Sequence, residues 1–448
     1  MGSAARKITT LLLAVGVMAA ACSSAEPESA VTDSTTSLAS AGSRDQTSDD
    51  EMVTLELANG LDVVITPRAG APTVAIALVF EIGSDHDPTG QSGLAHFAEH
   101  LLITGATTQE AARDVTEIMG AYPNGWNAQT GTDFTILATV IEPQAFEAEL
   151  AAVAARLTGV MATAEDVERE RGRILIEVDN MFGSIPDLAV ANLAREQLRP
   201  TPNGGRRGGD PTVLATVGLD ELQAWMANYR PGVATLSIAG PVDGTETTAM
   251  VEAMFGSIAE GPGAPSRFDP DPPENRLHVQ PALEGSLRYV TLAYEAPAPS
   301  DPRYPAYLTG VGRLFIESQT ADLRVMFAPI DDPTSLTITA DIAEDETVDD
   351  AAARLRSSII EVLTAPLRPG EGDQTAQLFG VLLGLDSGTD PNAGLNTYGV
   401  AFSAARRPAL GMDPAKVEAG LESLADDQYR EAISALIVDA PLIGAAID

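Results

Sequence analysis

His96-Phe97-Ala98-Glu99-His100 places two imidazoles and a carboxylate within five residues. On a helix, positions four apart share a face, so both rings project together, with Glu99 one residue short of the second. Neutral imidazole and carboxylate are ligands that zinc takes, and a catalytic site uses three protein ligands with a position left open for water. His96 and His100 supply two, and Glu177, 77 positions after His100, would complete the count. Zinc lowers the pKa of its water to about 7, and a nearby carboxylate can take the proton and deliver it to a leaving amine. Glu99 stands where that base is needed. Glu170 lies two turns before Glu177 on the same helix face and reads as an outer carboxylate that orients a histidine or the water. The outline is that of a hydrolase. On spacing alone Glu177 is the weakest member, because long helices carry many glutamates on solvated faces.

Such a constellation needs rigid elements beneath it. Val53 to Leu57, an Ala58-Asn59-Gly60 turn, and Leu61 to Ile65 read as two short strands joined tightly. Thr73 to Phe80 is a nearly continuous apolar run, hence a buried strand. Gly83 to Gly93 is a loop by composition, and Ser92 to Leu102 has the small and apolar residues of a packed helix. Thr107 to Met119 is predicted helical, Tyr122 to Trp126 a turn, and Phe134 to Ile141 a strand. Thr163-Ala164-Glu165-Asp166 gives the capping signal for a long helix running past Glu177. Ala234 to Ala239 reads as another strand and Glu246 to Phe255 as a helix. Two further histidines stand apart: His86 in an acidic loop, expected to be exposed, and His278, expected to be structural.

Residues 260 to 274, rich in Pro and Gly, form the clearest linker. After them, Leu287 to Tyr294 and Tyr304 to Phe315 repeat the strand-then-helix order of residues 73 to 102, without histidine in the second helix. This weak internal repeat implies two like domains, of which only the first keeps the metal residues. The expected division is 52–262 for the zinc-binding domain, 263–274 for the linker, and 275–448 for the metal-free domain.

At 448 residues the chain is too long for one ordinary core. With 64 acidic against 27 basic side chains and a formal charge of −37, it should repel phosphate backbones, which argues against nucleic acid as a partner. Residues 1–21 read as an export signal: Arg6 and Lys7 at the basic end, then an apolar stretch from Ile8 to Ala21 that is short for a bilayer span. Cys22 is the single cysteine, so no internal disulfide is available. Its place after Ala19-Ala20-Ala21 resembles a bacterial lipoprotein processing site, although Ala19 stands where leucine is usual. The expectation is an exported protein, lipid-anchored through Cys22 to a bacterial envelope membrane; the plainer alternative is a cleaved signal with an incidental cysteine. Residues 22–51, rich in Ser, Thr, Ala, Asp and Glu, would be a flexible tether.

Gly93-Leu94-Ala95-His96-Phe97-Ala98-Glu99-His100-Leu101, with Glu170 and Glu177, resembles the inverted zinc motif of the pitrilysin and insulinase family, which includes the mitochondrial processing peptidase. Pro202-Asn203-Gly204 with Gly209, and Asn228-Tyr229-Arg230-Pro231, also follow family patterns. The resemblance implies an α+β protein of two homologous domains, each an antiparallel sheet backed by helices. It implies one zinc ion per chain on His96, His100 and Glu177, Glu99 as base, and endopeptidase activity on peptides or unfolded segments. Asn127 and Ala128 would lie on the edge strand to which an extended substrate adds. Family members that act alone carry, in the later domain, an arginine followed seven residues on by tyrosine, for substrate binding and oxyanion stabilisation. Arg324 could begin that element, yet position 331 is Asp331, and the glycine-rich stretch expected before it is eroded at Glu317 to Asp322. A homologous subunit supplying the arginine and tyrosine across a shared cavity would repair the loss. The alternative is a non-cleaving peptide-binding or assembly subunit of the same fold: intact Glu99 favours the enzyme, the lost tyrosine the binder. The acidic balance favours cationic peptides.

Overall fold

The apolar runs build two sheets, each followed and covered by helices, in a computed structural model that describes residues 52–198, 203, 208–268, 274–281, 287–318, 323–329, 334–383 and 397–448. The signal segment, Cys22, the tether, Pro202, Gly204, residues 319–322 and Asp331 lie outside the described residues. In the first half, β1 (Val53–Glu56), β2 (Asp62–Pro67) and β3 (Val74–Phe80) precede α1 (Leu94–Thr104) and α2 (Val115–Ala121). β4 (Trp126–Thr130) and β5 (Thr135–Ile141) follow, then α3 (Phe146–Thr158), α4 (Ala164–Asp179), α5 (Pro186–Leu198), α6 (Pro211–Leu214), α7 (Leu219–Met226), β6 (Ala234–Gly240) and α8 (Gly244–Phe255). The second half runs β7 (Arg276–Gln280), β8 (Tyr289–Glu295), α9 (Tyr304–Glu317), β9 (Leu323–Ala328) and β10 (Ser335–Asp341). It closes with α10 (Val348–Thr364), α11 (Glu371–Leu383), α12 (Thr397–Leu410), α13 (Pro414–Glu422), α14 (Asp426–Ile433) and β11 (Ile443–Ile447).

The first sheet has the order β1-β2-β6-β3-β5-β4 and the second β7-β11-β8-β10-β9. Without β1 the two orders match strand for strand, so the weak repeat in the sequence is a repeat of topology. Neither sheet is wholly antiparallel, as the resemblance implied: β2 runs parallel to β6, and β7 parallel to β11. In each half the last strand returns late in the chain and lies parallel beside the first strand of the shared set, β6 beside β2 and β11 beside β7.

β3 is buried along its whole length because both faces of its sheet are covered, the condition under which a strand reads as a continuous apolar run. Helices of the first half cover one face, where Leu94, Phe97, Leu101 and Leu150 pack on Ile76 and Leu78. The other face is covered from the second half: Val400, Ala401, Phe402 and Ala405 of α12 pack on Ala75, Ala77, Ala138 and Ala239. The exchange is reciprocal, since Ala189, Val190, Leu193 and Ala194 of α5 pack on Tyr289, Ala293, Ile443 and Ala445 of the second sheet. Alanine on both sides lets helix and sheet approach closely.

Two local expectations change. Residues 107–113 are not helical: Thr107 accepts from the backbone of Gln109 and Glu110, and the helix begins only after Asp114, which caps Thr116. Side chains that bond their own backbone compete with helix, and here they win. His86 is buried, not exposed, because its Nδ1 accepts from Gly83 N at 3.1 Å within a short helical turn. Burial, and then the charge of Arg267, push its pKa down to about 4. His278 lies on β7 and is exposed. Among the described residues no helix is long and apolar enough to cross a membrane.

Candidate metal centre

α1 starts at Gly93, whose φ of 102° is open to glycine at little cost. A Cβ built there would stand 2.9 Å from Gly209 Cα, and one built on Gly209 would stand 2.5 Å from Gly93 Cα. Two backbones therefore cross at these glycines. Asp87, buried beneath the helix start, accepts from Gly93 N at 2.6 Å and Ala95 N at 2.8 Å. These are orphan donors of the first turn, and a carboxylate there also complements the helix dipole. Burial pushes Asp87 up to about 7 against those hydrogen bonds.

The glycine crossing brings Gly208 O to 3.0 Å from His96 Nδ1. His100 Nδ1 lies 3.3 Å from Glu170 Oε2. Each Nδ1–H thus has an acceptor, which fixes the tautomer and leaves each Nε2 free as a ligand. α4, capped by the Thr163–Asp166 box, carries Glu177 to the same place. Its Oε1 is 3.6 Å from His96 Nε2 and its Oε2 is 3.4 Å from His100 Nε2. All three ligand atoms lie within 4.8 Å of one another. Tetrahedral ligands at zinc distances sit about 3.4 Å apart, so the three residues fit one ion with little movement.

The charges agree with that fit. Burial would lower the pKa of His100, but hydrogen bonds to Glu170 and Glu177 lift it to about 10. Burial likewise works to raise Glu177, and the charge of His96 with the hydrogen bond from His100 holds it far below the usual range. The cluster thus favours carboxylate beside cation, and a divalent ion would replace protons there. Glu170, fully buried, is also held below the usual range: its hydrogen bond to His100, then Arg173 and Arg169, outweigh burial. The two arginines donate to Glu170 Oε1 at 2.9 and 3.0 Å.

Glu99 is buried beside the pair, and burial raises its pKa against the pull of His96 and His100. Its Oε2 accepts from Thr130 Oγ1 at 2.6 Å. Thr130 ends β4, the outermost strand of its sheet, on which Asn127 pairs with Ala138 and Ala128 with Leu137 of β5. Arg324 lies elsewhere: on β9 it pairs with Asp341 at 2.9 Å and Asp187 at 3.6 Å, and stacks over Tyr289. The structure therefore brings together His96, Glu99, His100, Glu170, Glu177 and the strand of Asn127 and Ala128. Among the described contacts of Arg324, none is to that group. Asp87, Gly208 and the bond from Thr130 to Glu99 were missed in the sequence. They act through contacts across 6 to 112 residues, for which no local spacing is diagnostic.

Comparison with known proteins agrees with this architecture. Residues 63–206 match the family model described as insulinase, peptidase family M16, and residues 216–375 the model described as peptidase M16 inactive domain. An uncharacterized zinc protease of Rickettsia bellii is 26% identical over 216 residues, 48% of this chain and 52% of that protein. The mitochondrial-processing peptidase subunit beta of Caenorhabditis elegans is 24% identical over 244 residues, 53% of this chain and 52% of that protein. The chain thus spans about half the length of these curated relatives. A protease from Helicobacter pylori superposes with a TM-score of 0.75 at 15% identity, covering 89% of this chain and 99% of that one. With two M16 models matched in succession and the fold shared throughout, the chain belongs to the pitrilysin and insulinase peptidase family.

Proposed function

We propose that this chain is a zinc-dependent endopeptidase, with His96, His100 and Glu177 as ligands, Glu99 as base and residues 52–262 as the catalytic domain. The observation that carries the reading is the convergence of three ligand atoms within 4.8 Å, next to a buried carboxylate that is itself tied to an open sheet edge. Zinc there would act as a Lewis acid and make water acidic enough to ionise near neutral pH. Glu99 would serve as the base that accepts a proton from the attacking water and delivers it to the leaving amine. Glu170 and Gly208 O hold the two imidazoles in the ligand orientation. β4 offers unpaired backbone groups along its outer side, where an extended peptide can add as a further strand beside Asn127 and Ala128. The linker at 263–274 and a metal-free domain at 275–448 complete the chain. Export and anchoring through Cys22 rest on the amino-terminal sequence pattern.

Arg324, engaged by Asp341 and Asp187, is the reason to include a partner: a homologous subunit supplies the arginine and tyrosine of the shared cavity. The same observation favours the second reading, a subunit that holds peptides without cleaving them. Zinc content and cleavage of a quenched peptide library by the purified protein, with Glu99→Gln as control, decide between them. Near one zinc per chain with cleavage lost in the variant supports a self-sufficient peptidase. Zinc without cleavage, even with a homologous partner added, supports the binding subunit.

A further inference from the structure

Among the described residues the second half holds no cluster of metal-ligating side chains, yet its helix α12 reaches the edge strand that a substrate would join. Asn127 Nδ2 donates to Tyr398 Oη at 2.8 Å. Six residues beyond Asn127, in the turn between β4 and β5, Asp133 pairs with Arg406 of the same helix at 2.5 Å. Arg406 is fully buried and stacks over Phe134, and the rings of Tyr398, Phe402 and Phe134 follow one another at 5.9 and 6.0 Å. β4 has only five residues and one neighbouring strand. Its carboxyl end is held from the first half, through Thr130 to Glu99. Its amino end is held from the second half, through Asn127 to Tyr398.

We propose that Tyr398 is a positioning residue, by which the metal-free half sets β4 in the register and height that a peptide strand requires. This rests on the reading of β4 as the substrate strand. A short edge strand paired on one side loses order easily, and each residue so freed must be ordered again when the peptide adds. A pin at each end removes that cost in advance. Because the other pin is Glu99, strand and base move as one unit, so a peptide seated on β4 is also in register with the base. The contact is not general glue between the halves: Thr73 and Thr397 form another inter-half hydrogen bond, at 3.0 Å, that does not touch β4.

The test is peptide affinity of the zinc-loaded full chain in a Glu99→Gln background, which removes dependence on turnover, using a fluorescent peptide mixture and a urea midpoint for each variant. Tyr398→Phe deletes the hydroxyl and keeps the ring packing. It should weaken binding by about threefold to tenfold, the range of one lost hydrogen bond. Asn127→Ala should weaken it equally, the double variant no further, and Thr397→Val not at all. Unchanged affinity in Tyr398→Phe, equal loss in Thr397→Val, or loss that only follows the folded fraction would overturn the proposal while leaving the peptidase reading in place. No peptide binding by the parent protein would overturn both.

Discussion

Arg313 and Glu371 form a buried bidentate ion pair, at 2.8 and 2.7 Å, between the two helices of the second half that correspond in order to the helices of the candidate metal centre in the first. α9 follows β8 as α1 follows β3, and α11 stands to α9 as α4 stands to α1. Where His100 meets Glu170 in one half, an arginine meets a carboxylate in the other. Arg313 also donates to Ala365 O at 2.6 Å and Pro366 O at 3.0 Å, and stacks on Tyr429 at 4.4 Å. Removing Arg313 leaves the buried Glu371 carboxylate with only Arg368, whose side chain is exposed, as its cationic partner. Arg313→Met should cost about 3–5 kcal/mol, and the double variant with Glu371→Leu should recover much of it. Urea unfolding measures both, and zinc content should not change.

Glu170 touches His100 but not the other ligand atoms. Glu170→Gln keeps the shape and an acceptor while removing the charge, so zinc should still bind, about 10–100-fold more weakly. Glu177→Gln removes a ligand and should lose stoichiometric zinc. Competition against a chromophoric chelator separates the two, and equal loss in both would mean that Glu170 is itself a ligand.

Thr130→Val deletes the hydroxyl that holds Glu99. A hydrogen bond to a charged group is worth about 1.5–3 kcal/mol, so kcat/KM should fall about tenfold to a hundredfold with zinc content intact. A variant with native kcat/KM would mean that Glu99 is held by packing alone.

His86 gives the protein a pH dependence of stability separate from the ligands. Its folded pKa of about 4 lies below the unfolded value near 6.5, so the unfolded chain binds the extra proton between them. The contribution is fully present above pH 6.5, is lost as pH falls, and levels off below about 4; at pH 5 the loss is on the order of 2 kcal/mol. His86→Asn retains an acceptor for Gly83 N–H but has no such proton. Its stability relative to wild type should therefore improve between pH 7.5 and 5. A constant difference between the two proteins across that range would remove His86 as the source.

The elements legible in the sequence were those with strong periodicity or caps: β3 as an unbroken apolar run, α4 from Thr163 and Asp166, and the ligand helix from its paired histidines. The site was legible where spacing within one helix carries the chemistry, as for His96, Glu99 and His100. It was not legible where partners come from far along the chain. Asp87 caps α1 from six residues before Gly93, outside any capping pattern, and Tyr398 lies 271 residues from Asn127. The burial of His86 was hidden for the same reason: the acidic composition of its loop says nothing about the element packed over it.

The exchanged helices make a prediction about folding. α12 and α5 each complete the sheet of the opposite half, so either half alone would leave a buried sheet face and an apolar helix face in water. Exposed apolar area of that extent favours association or loss of fixed packing. A fragment ending at Phe268 should therefore bind a hydrophobic dye and hold zinc poorly, although every proposed ligand is present. Adding the fragment that begins at Glu274 should restore zinc binding and a cooperative transition. In the intact chain, tryptophan fluorescence, which reports Trp126 and Trp225 in the first half, and a probe placed in the second half should give coincident unfolding curves. Two separated transitions would show that the exchange adds little to either half, and that the metal centre is assembled without help from α12.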